Sequence, residues 1–339
     1  MRHIYSRRLT AMALFTLASL APQLSQACAT CGCTLNSDAA AGFLPRTGWS
    51  FNLEYTYINQ NALRHGSGTA SAADVVNNPT TGELEQFTKN HYLNLGITYG
   101  FNPDWNLSLI VPYVRRDHGS FTDQTSAPFD PSQTDPANLS ESHSSSIGDM
   151  KVLLRYQGFL PNHNAGVVAG IKLPTGSDSA TNFSSGPSAG QPLDTSLQAG
   201  TGSTDLILGA YYYQALSQNW DGFANFTTQF AVAERLEQPG NNFRPGNQNN
   251  LSLGLRYITH SIWTPQLQLN LTHKSADQGA LADDQDTAGT VAYLSPGVNI
   301  QFNPQLSAYA FVQKPIASQL QGYQIFPRWT ATLGMHYAL

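Results

Sequence analysis

"WSFNLEYTY", residues 49–57, puts Trp49, Phe51, Leu53, Tyr55 and Tyr57 on one face of an extended strand and Ser50, Asn52, Glu54 and Thr56 on the other. Side chains alternate sides along a strand, so a period of two with rings at both ends marks a strand that is apolar on one face. The pattern recurs. "HYLNLGITYG" gives Leu93, Leu95, Ile97 and Tyr99, and "WNLSLIVPY" gives Trp105, Leu107, Leu109, Val111 and Tyr113. "MKVLLRY", "VVAGIKL" and "LILGAYY" give Met150 to Tyr156, Val167 to Leu173 and Leu206 to Tyr212 in alternation. Trp220, Ala224, Phe226 and Phe230 follow more loosely, then Leu251 to Tyr257 and Leu267 to Leu271. Two more strands fall near 288–302 and 306–315, and "WTATLGMHYAL" keeps Trp329, Ala331, Leu333, Met335, Tyr337 and Leu339 in register to the end.

The count is twelve strands, and the connections give their arrangement. Short turns at 101–104, 160–164, 216–219, 259–262 and 303–305 alternate with long polar loops near 64–87, 117–146, 176–202, 232–248, 276–286 and 316–323. Strict short/long alternation in an even-stranded antiparallel set describes a transmembrane β-barrel with short periplasmic turns, long extracellular loops and both termini periplasmic. Closure satisfies every backbone group in lipid and leaves no sheet edge. A secreted β-sandwich would also alternate, but without this rhythm or rings at so many strand ends. The fold class is therefore all-β, an antiparallel barrel of about twelve strands.

Composition agrees. Charged residues are 12% of the 339, about half the usual share, and aromatics 11%. Net charge is −5, which argues against a nucleic-acid partner. Residues 1–27 read as a secretory signal: Arg2, Arg7 and Arg8, an apolar run from Ala11 to Ala21, then Ser25-Gln26-Ala27. No later run of about 20 apolar residues suits a membrane helix. The expected layout is signal 1–27, a periplasmic segment 28–48 and the barrel 49–339, in the Gram-negative outer membrane among lipid and lipopolysaccharide.

"GDMKVLLRY" (148–156), "GIKLPTG" (170–176), "GTGSTDLILG" (200–209) and "YLSPGVN" (293–299) resemble a family of outer-membrane transporter barrels labelled after the meta-pathway of phenol degradation. The resemblance implies a channel for small, in part aromatic, solutes. It carries no substrate motif that transfers residue by residue.

On this register the inward ionisable residues are Glu54, Arg116, Asp149, Lys151, Arg155, Lys172, Asp205, Asp221, Arg256, Lys274 and Arg328, seven basic and four acidic. Such a lumen either attracts anions or closes through cross-barrel pairs. Lys151 and Arg155 facing Asp149 and Asp205 form the expected network. Tyr211, Tyr213, Phe223, Tyr293, Tyr309 and Phe311 also point inward, as packing or as a stacking surface for a ring-shaped solute. The first rival to a channel is a closed structural or partner-binding barrel. The second is a lipid-active hydrolase using His273 and Ser275, a nucleophile–base pair with none of the surrounding family motif. The acidic run Asp283, Asp284, Asp286 supplies oxygen ligands for calcium but lacks EF-hand spacing.

All three cysteines, Cys28, Cys31 and Cys33, fall in "CATCGC". Thiolates suit copper or zinc, and an oxidising periplasm favours a disulfide with one thiol over. Lipidation of Cys28 is disfavoured by Ser25, because Leu24 stands one place too early. The segment lies outside the strand pattern, at the periplasmic side, where it would meet a metal or a periplasmic partner.

Overall fold

The computed structural model describes residues 47–76, 83–122, 134–234, 242–259 and 261–339. The strands are β1 (Gly48–Gly66), β2 (Gly68–Thr69), β3 (Glu83–Gly100), β4 (Trp105–Thr122), β5 (Ser140–Ile147), β6 (Lys151–Tyr156), β7 (Ala165–Lys172), β8 (Ser203–Ala215), β9 (Trp220–Glu234), β10 (Gln248–Tyr257), β11 (Trp263–Lys274), β12 (Gly289–Gln301) and β13 (Leu306–Ala338). One helical turn, α1 (Ala72–Val76), lies between β2 and β3. Each strand pairs antiparallel with its neighbours, and β13 pairs back onto β1, which closes the barrel. β13 is two arms: Ser307 to Leu320 pair with β12, Leu320 to Ala338 with β1, and the chain reverses at Gly322 (φ 62°). The Ala338 N–H returns to the Gln305 carbonyl at 2.9 Å. β5 and β6 both pair with β4 and form one interrupted strand. With β13 counted as two arms, β5–β6 as one and the short β2 aside, the wall has twelve strands.

The apolar face of the sequence is the outer face. Leu53, Leu95, Leu107, Leu208, Leu253, Leu269 and Leu333 stand exposed at mid-wall, where lipid tails would cover them. Rings gather next to the short turns: Trp49 packs on Tyr99 at 4.8 Å, Trp105 on Tyr156 at 4.6 Å and Trp220 on Tyr257 at 5.0 Å. A second belt, with Tyr57 against His91 and Trp329, lies toward the long loops. Trp49 and Tyr57 are separated by about 20 Å along the membrane normal for a strand tilted ~40°.

Three expectations need correction. The strands run beyond the apolar band: β1 reaches Gly66, β3 starts at Glu83, β4 reaches Thr122 and β5 starts at Ser140, so the ladder takes in both ends of the regions near 64–87 and 117–146. Backbone pairing continues there with polar residues on both faces, which hides it from a hydrophobic period. The region 316–323 is likewise strand and tight turn rather than a loop. Arg328, expected inside, is exposed, because the register slips between Ile58–Thr330 and Gln60–Pro327 and the resulting bulge turns it out.

The inward rings lie flat on the wall. Tyr211 covers Gly166, Phe223 covers Gly254, Phe311 covers Gly297, and Tyr309 lies over Gly334. A Cβ on Gly254 would sit 2.2 Å from the Phe223 ring, so only glycine lets the ring reach the sheet. This assigns the rings to packing of the barrel wall. Gly254→Ala should destabilise the barrel by roughly 1–3 kcal/mol through overpacking, read as a lower unfolding temperature of the compact band on gels. Adding Phe223→Leu should restore part of the loss, and equal stability of wild type and Gly254→Ala would refute the contact.

Candidate functional site

Leu173–Gly202, the long connection after β7, folds into the barrel. Two buried charges hold it. The first is Asp149, in the break between β5 and β6. Its carboxylate accepts hydrogen bonds from the Gly176 N–H (3.0 Å), the Thr201 N–H (2.9 Å) and the Thr201 hydroxyl (2.9 Å). Lys172 closes the knot, with Nζ 3.1 Å from Asp149, 3.1 Å from Asp205 and 3.0 Å from the Ser203 hydroxyl. Asp205 in turn accepts from Gln229 at 2.6 Å. Gly148, Gly176 and Gly200 pack backbone to backbone; a Cβ on Gly200 would lie 2.5 Å from Gly176. Both carboxylates and the ammonium are removed from water, and a buried charge is tolerated only when paired and hydrogen-bonded in this way.

The second anchor is Arg116, inward on β4. Its guanidinium donates to the Leu197 carbonyl and, at 3.3 Å, to the Gln198 carbonyl of the infolded segment. Its other nitrogens donate to Asn90 (2.6 Å) and Tyr92 (3.2 Å). Asn90 donates onward to Gln60 at 2.9 Å. Phe183, Leu193 and Leu197 of the segment form a buried apolar cluster, and Phe183 packs against the inward His118 ring at 6.1 Å. Ser185 makes an isolated bridge to Glu141 on β5, whose other edge pairs with β4. The segment thus takes the place of a neighbouring strand along β5 and fills the lumen beside it.

The expected inward residues divide accordingly. Arg116, Asp149, Lys172 and Asp205 converge on the infolded segment. The acid partners of the knot were foreseen, and Lys172 is the base that bridges them. Lys151 stays half-buried, and Arg155 stacks over the Tyr211 ring at 5.2 Å. Glu54 accepts from the Tyr309 hydroxyl at 2.9 Å, Arg256 pairs with Asp221 at 2.8 Å, and Lys274 pairs with Asp277 at 2.9 Å. Near the short-turn end Asn94, Ser108, Arg155 and Asp221 keep partial exposure; higher up Thr56, Gln60, Asn90 and Thr332 are buried. Gln268 on β11 is buried with neither side-chain amide atom hydrogen-bonded. Sequence reasoning missed Thr201, Gly148, Gly176 and Gly200. The signal was present, since the family-like stretches 148–156, 170–176 and 200–209 are the three that meet at Asp149.

His273 and Ser275 do not form a catalytic pair. His273 bonds the Thr290 hydroxyl at 2.9 Å, and the Ser275 hydroxyl accepts the Asn247 N–H at 2.9 Å. His163 lies in a short turn, 2.8 Å from Asp104, and His336 is half-buried on β13. The acidic run at 283–286 makes its hydrogen bonds locally. Asp283 accepts from the Gln285 and Asp286 N–H groups, Asp286 from the Tyr323 N–H, and Asp284 from the Gln285 amide. Among the described residues no three His, Cys, Asp or Glu side chains converge with metal-binding geometry. Residues 1–46, with Cys28, Cys31 and Cys33, lie outside the described residues.

Above the plug the loops form a buried cap. Val75, Leu84 and Phe121 make one apolar cluster there, and Val291, Tyr293, Leu320 and Phe326 another. Glu83, Glu85, Asp194, Asp277, Asp283 and Asp286 are buried with them. His118 lies 3.8 Å from Glu83 and 4.0 Å from Glu85, and Lys274 holds Asp277. Burial pushes Asp194 and Asp286 up to about 7 and Asp283 up to about 6; Asp277 and Glu83 add repulsion at Asp194, and Asp283 and Glu83 at Asp286. An opened cap returns these groups to water and to about 3.8. The closed cap therefore binds more protons, and its stability falls as pH rises from about 4 to 7, then levels off. Amide exchange of residues 275–288 should accelerate across that window, and Asp286→Asn should flatten the profile. Exchange independent of pH beyond its chemical rate would contradict this.

A sequence model of the family described as "Putative MetA-pathway of phenol degradation" matches residues 107–320. No curated protein matches the chain. Among solved structures, the COG4313 outer-membrane channel from Pseudomonas putida F1 superposes with a TM-score of 0.57 at 13% identity, covering 87% of this chain and 96% of that one. The Ralstonia pickettii toluene transporter TbuX gives a TM-score of 0.44 at 13% identity, covering 96% and 100%. The translocator domain of autotransporter NalP from Neisseria meningitidis gives 0.46 at 8%, covering 89% and 93%. The first of these shows the shared fold. In fold the protein is a closed antiparallel barrel of the Gram-negative outer-membrane type.

Proposed function

The chain belongs to this MetA-pathway family, and from that premise we propose that it conducts small, uncharged solutes across the outer membrane, with the segment 173–202 as its constriction. The observation that carries the proposal is the plug itself: a long loop drawn into the lumen and held by Arg116 and Asp149. A barrel needed only for structure gains nothing from turning buried charges onto a loop backbone. Paired charges leave a lumen whose inner face is mainly amide and hydroxyl, which does not favour anions over neutral solutes. Half-exposed groups of the inner face such as Asn94 and Ser108 can hydrogen-bond a hydroxyl or carbonyl. The family description points to phenol-pathway compounds, which have that chemistry.

Single-channel recording of the refolded protein in planar bilayers tests the proposal. Arg116→Ala removes the donors to the Leu197 and Gln198 carbonyls. It should raise mean conductance several-fold while the barrel remains heat-modifiable. No conductance in wild type, in Arg116→Ala and in a chain lacking residues 28–48 would leave the closed structural barrel as the better reading.

The same proposal places residues 28–48 at the periplasmic mouth, since Gly48 enters the wall at the short-turn end opposite Gly100. There Cys28, Cys31 and Cys33 would serve as a redox pair or a copper or zinc site for a periplasmic partner. Changing all three to Ser should leave an assembled barrel and abolish bound metal or disulfide, measured by elemental analysis and thiol titration. Loss of assembly would show the segment to be part of the fold.

A further inference from the structure

The outer wall has a charged side. Among the described residues the exposed lysines and arginines are Lys89, Arg115, Arg244, Lys314 and Arg328. Arg244 donates to the Ala231 carbonyl at 2.7 Å. The other four lie on β3, β4 and the two arms of β13, which are consecutive in the wall with β1 between them. Carboxylates on this stretch of outer wall are Asp117 and Glu141, both half-buried. A chain with a net charge of −5 thus turns its acids inward and into loops and presents cations to one side of the membrane.

The height of these cations is set by the ladder. Tyr57 pairs with His91, and His91 with Arg115; Lys89 pairs with Asp117, and Asp117 with His143. Lys89 and Arg115 therefore stand at and just beyond the belt formed by Tyr57 and Tyr113, on the long-loop side. Here the wall is grooved. Phe87, Tyr113, Lys89, Arg115, Asp117 and His143 line the groove. The ammonium of Lys89 rests 4.9 Å from the Phe87 ring. Asp117 lies 2.9 Å from His143 and 3.9 Å from Arg115, which orients the imidazole and the guanidinium. Directly below, Tyr113 and Ile147 are exposed side by side, an apolar track toward the membrane interior.

We propose that this groove binds the phosphorylated headgroup of an outer-leaflet glycolipid, with acyl chains lying along Tyr113 and Ile147. A soluble anion would use the cations but not the track. A neutral lipid would use the track but not the cations. Arg115 supplies a planar fork for phosphate oxygens and Lys89 a mobile point charge. Lys314 and Arg328 extend the basic surface toward neighbouring headgroups.

The test uses the full refolded protein in detergent and native mass spectrometry, with diphosphoryl lipid A as probe and the same lipid stripped of phosphate as control. The wild type should bind diphosphoryl lipid A at least about tenfold more tightly than the stripped lipid. The fourfold variant Lys89→Gln, Arg115→Gln, Lys314→Gln, Arg328→Gln should lose that preference, and Asp117→Asn should strengthen binding. Equal affinity of wild type for both lipids would overturn the proposal, whether or not the variant folds. So would an unchanged preference in a heat-modifiable variant, or full displacement of the lipid by millimolar inorganic phosphate.

Discussion

The pairing of β1 with the second arm of β13 is the constraint on which everything else rests. In lipid an unpaired backbone amide costs several kcal/mol, so roughly every strand must find two partners. Closure fixes which residues face in. Once Ser50 is set opposite Ala338 and Gly48 opposite Gly100, alternation sends Trp49, Leu53 and Tyr57 outward and Glu54, Thr56 and Gln60 inward. The same register sets Phe223 opposite Gly254 and Phe311 opposite Gly297, so that rings can lie on the wall instead of crossing the lumen.

The wall has one interruption, and the plug grows from it. Between Ile147 and Lys151 the ladder with β4 breaks, and the break presents Asp149 to the interior. A carboxylate there cannot remain buried alone. It collects two backbone N–H groups, a hydroxyl and an ammonium, all from the ends of a single loop and its flanking strands. The loop has no free choice of path after that. Near its far end the Leu197 and Gln198 carbonyls are held by Arg116, and its Ser185 lies against the edge of β5. The inward course of this loop thus follows from the electrostatics of one strand break.

The barrel was legible because lipid imposes a one-sided apolar pattern that nothing else in the chain imitates. Every strand whose outer face meets lipid was found from its leucines and rings. What lay beyond the membrane was not. β5 reads "SESHSSSI" and its ladder with β4 carries polar residues on both faces, so no period distinguishes it from a loop. Arg328 was misplaced because a bulge leaves no mark in the sequence. The interior was half legible. Asp149 and Asp205 could be set inward by counting, but counting does not show that Lys172 reaches both, since that depends on where the β7 end meets the break. The glycines 148, 176 and 200 gave the clue in retrospect, each standing where two backbones touch.

A disulfide lock tests the central claim most directly. Glu141 and Ser185 are paired across an isolated antiparallel bridge, a spacing compatible with a disulfide. In a chain whose Cys28, Cys31 and Cys33 are Ser, cysteines at 141 and 185 should oxidise in the assembled barrel and hold it at low conductance until a reductant restores the level of the unlinked chain. Failure to cross-link in a heat-modifiable barrel, or conductance indifferent to the link, would contradict a lumen stoppered by this loop.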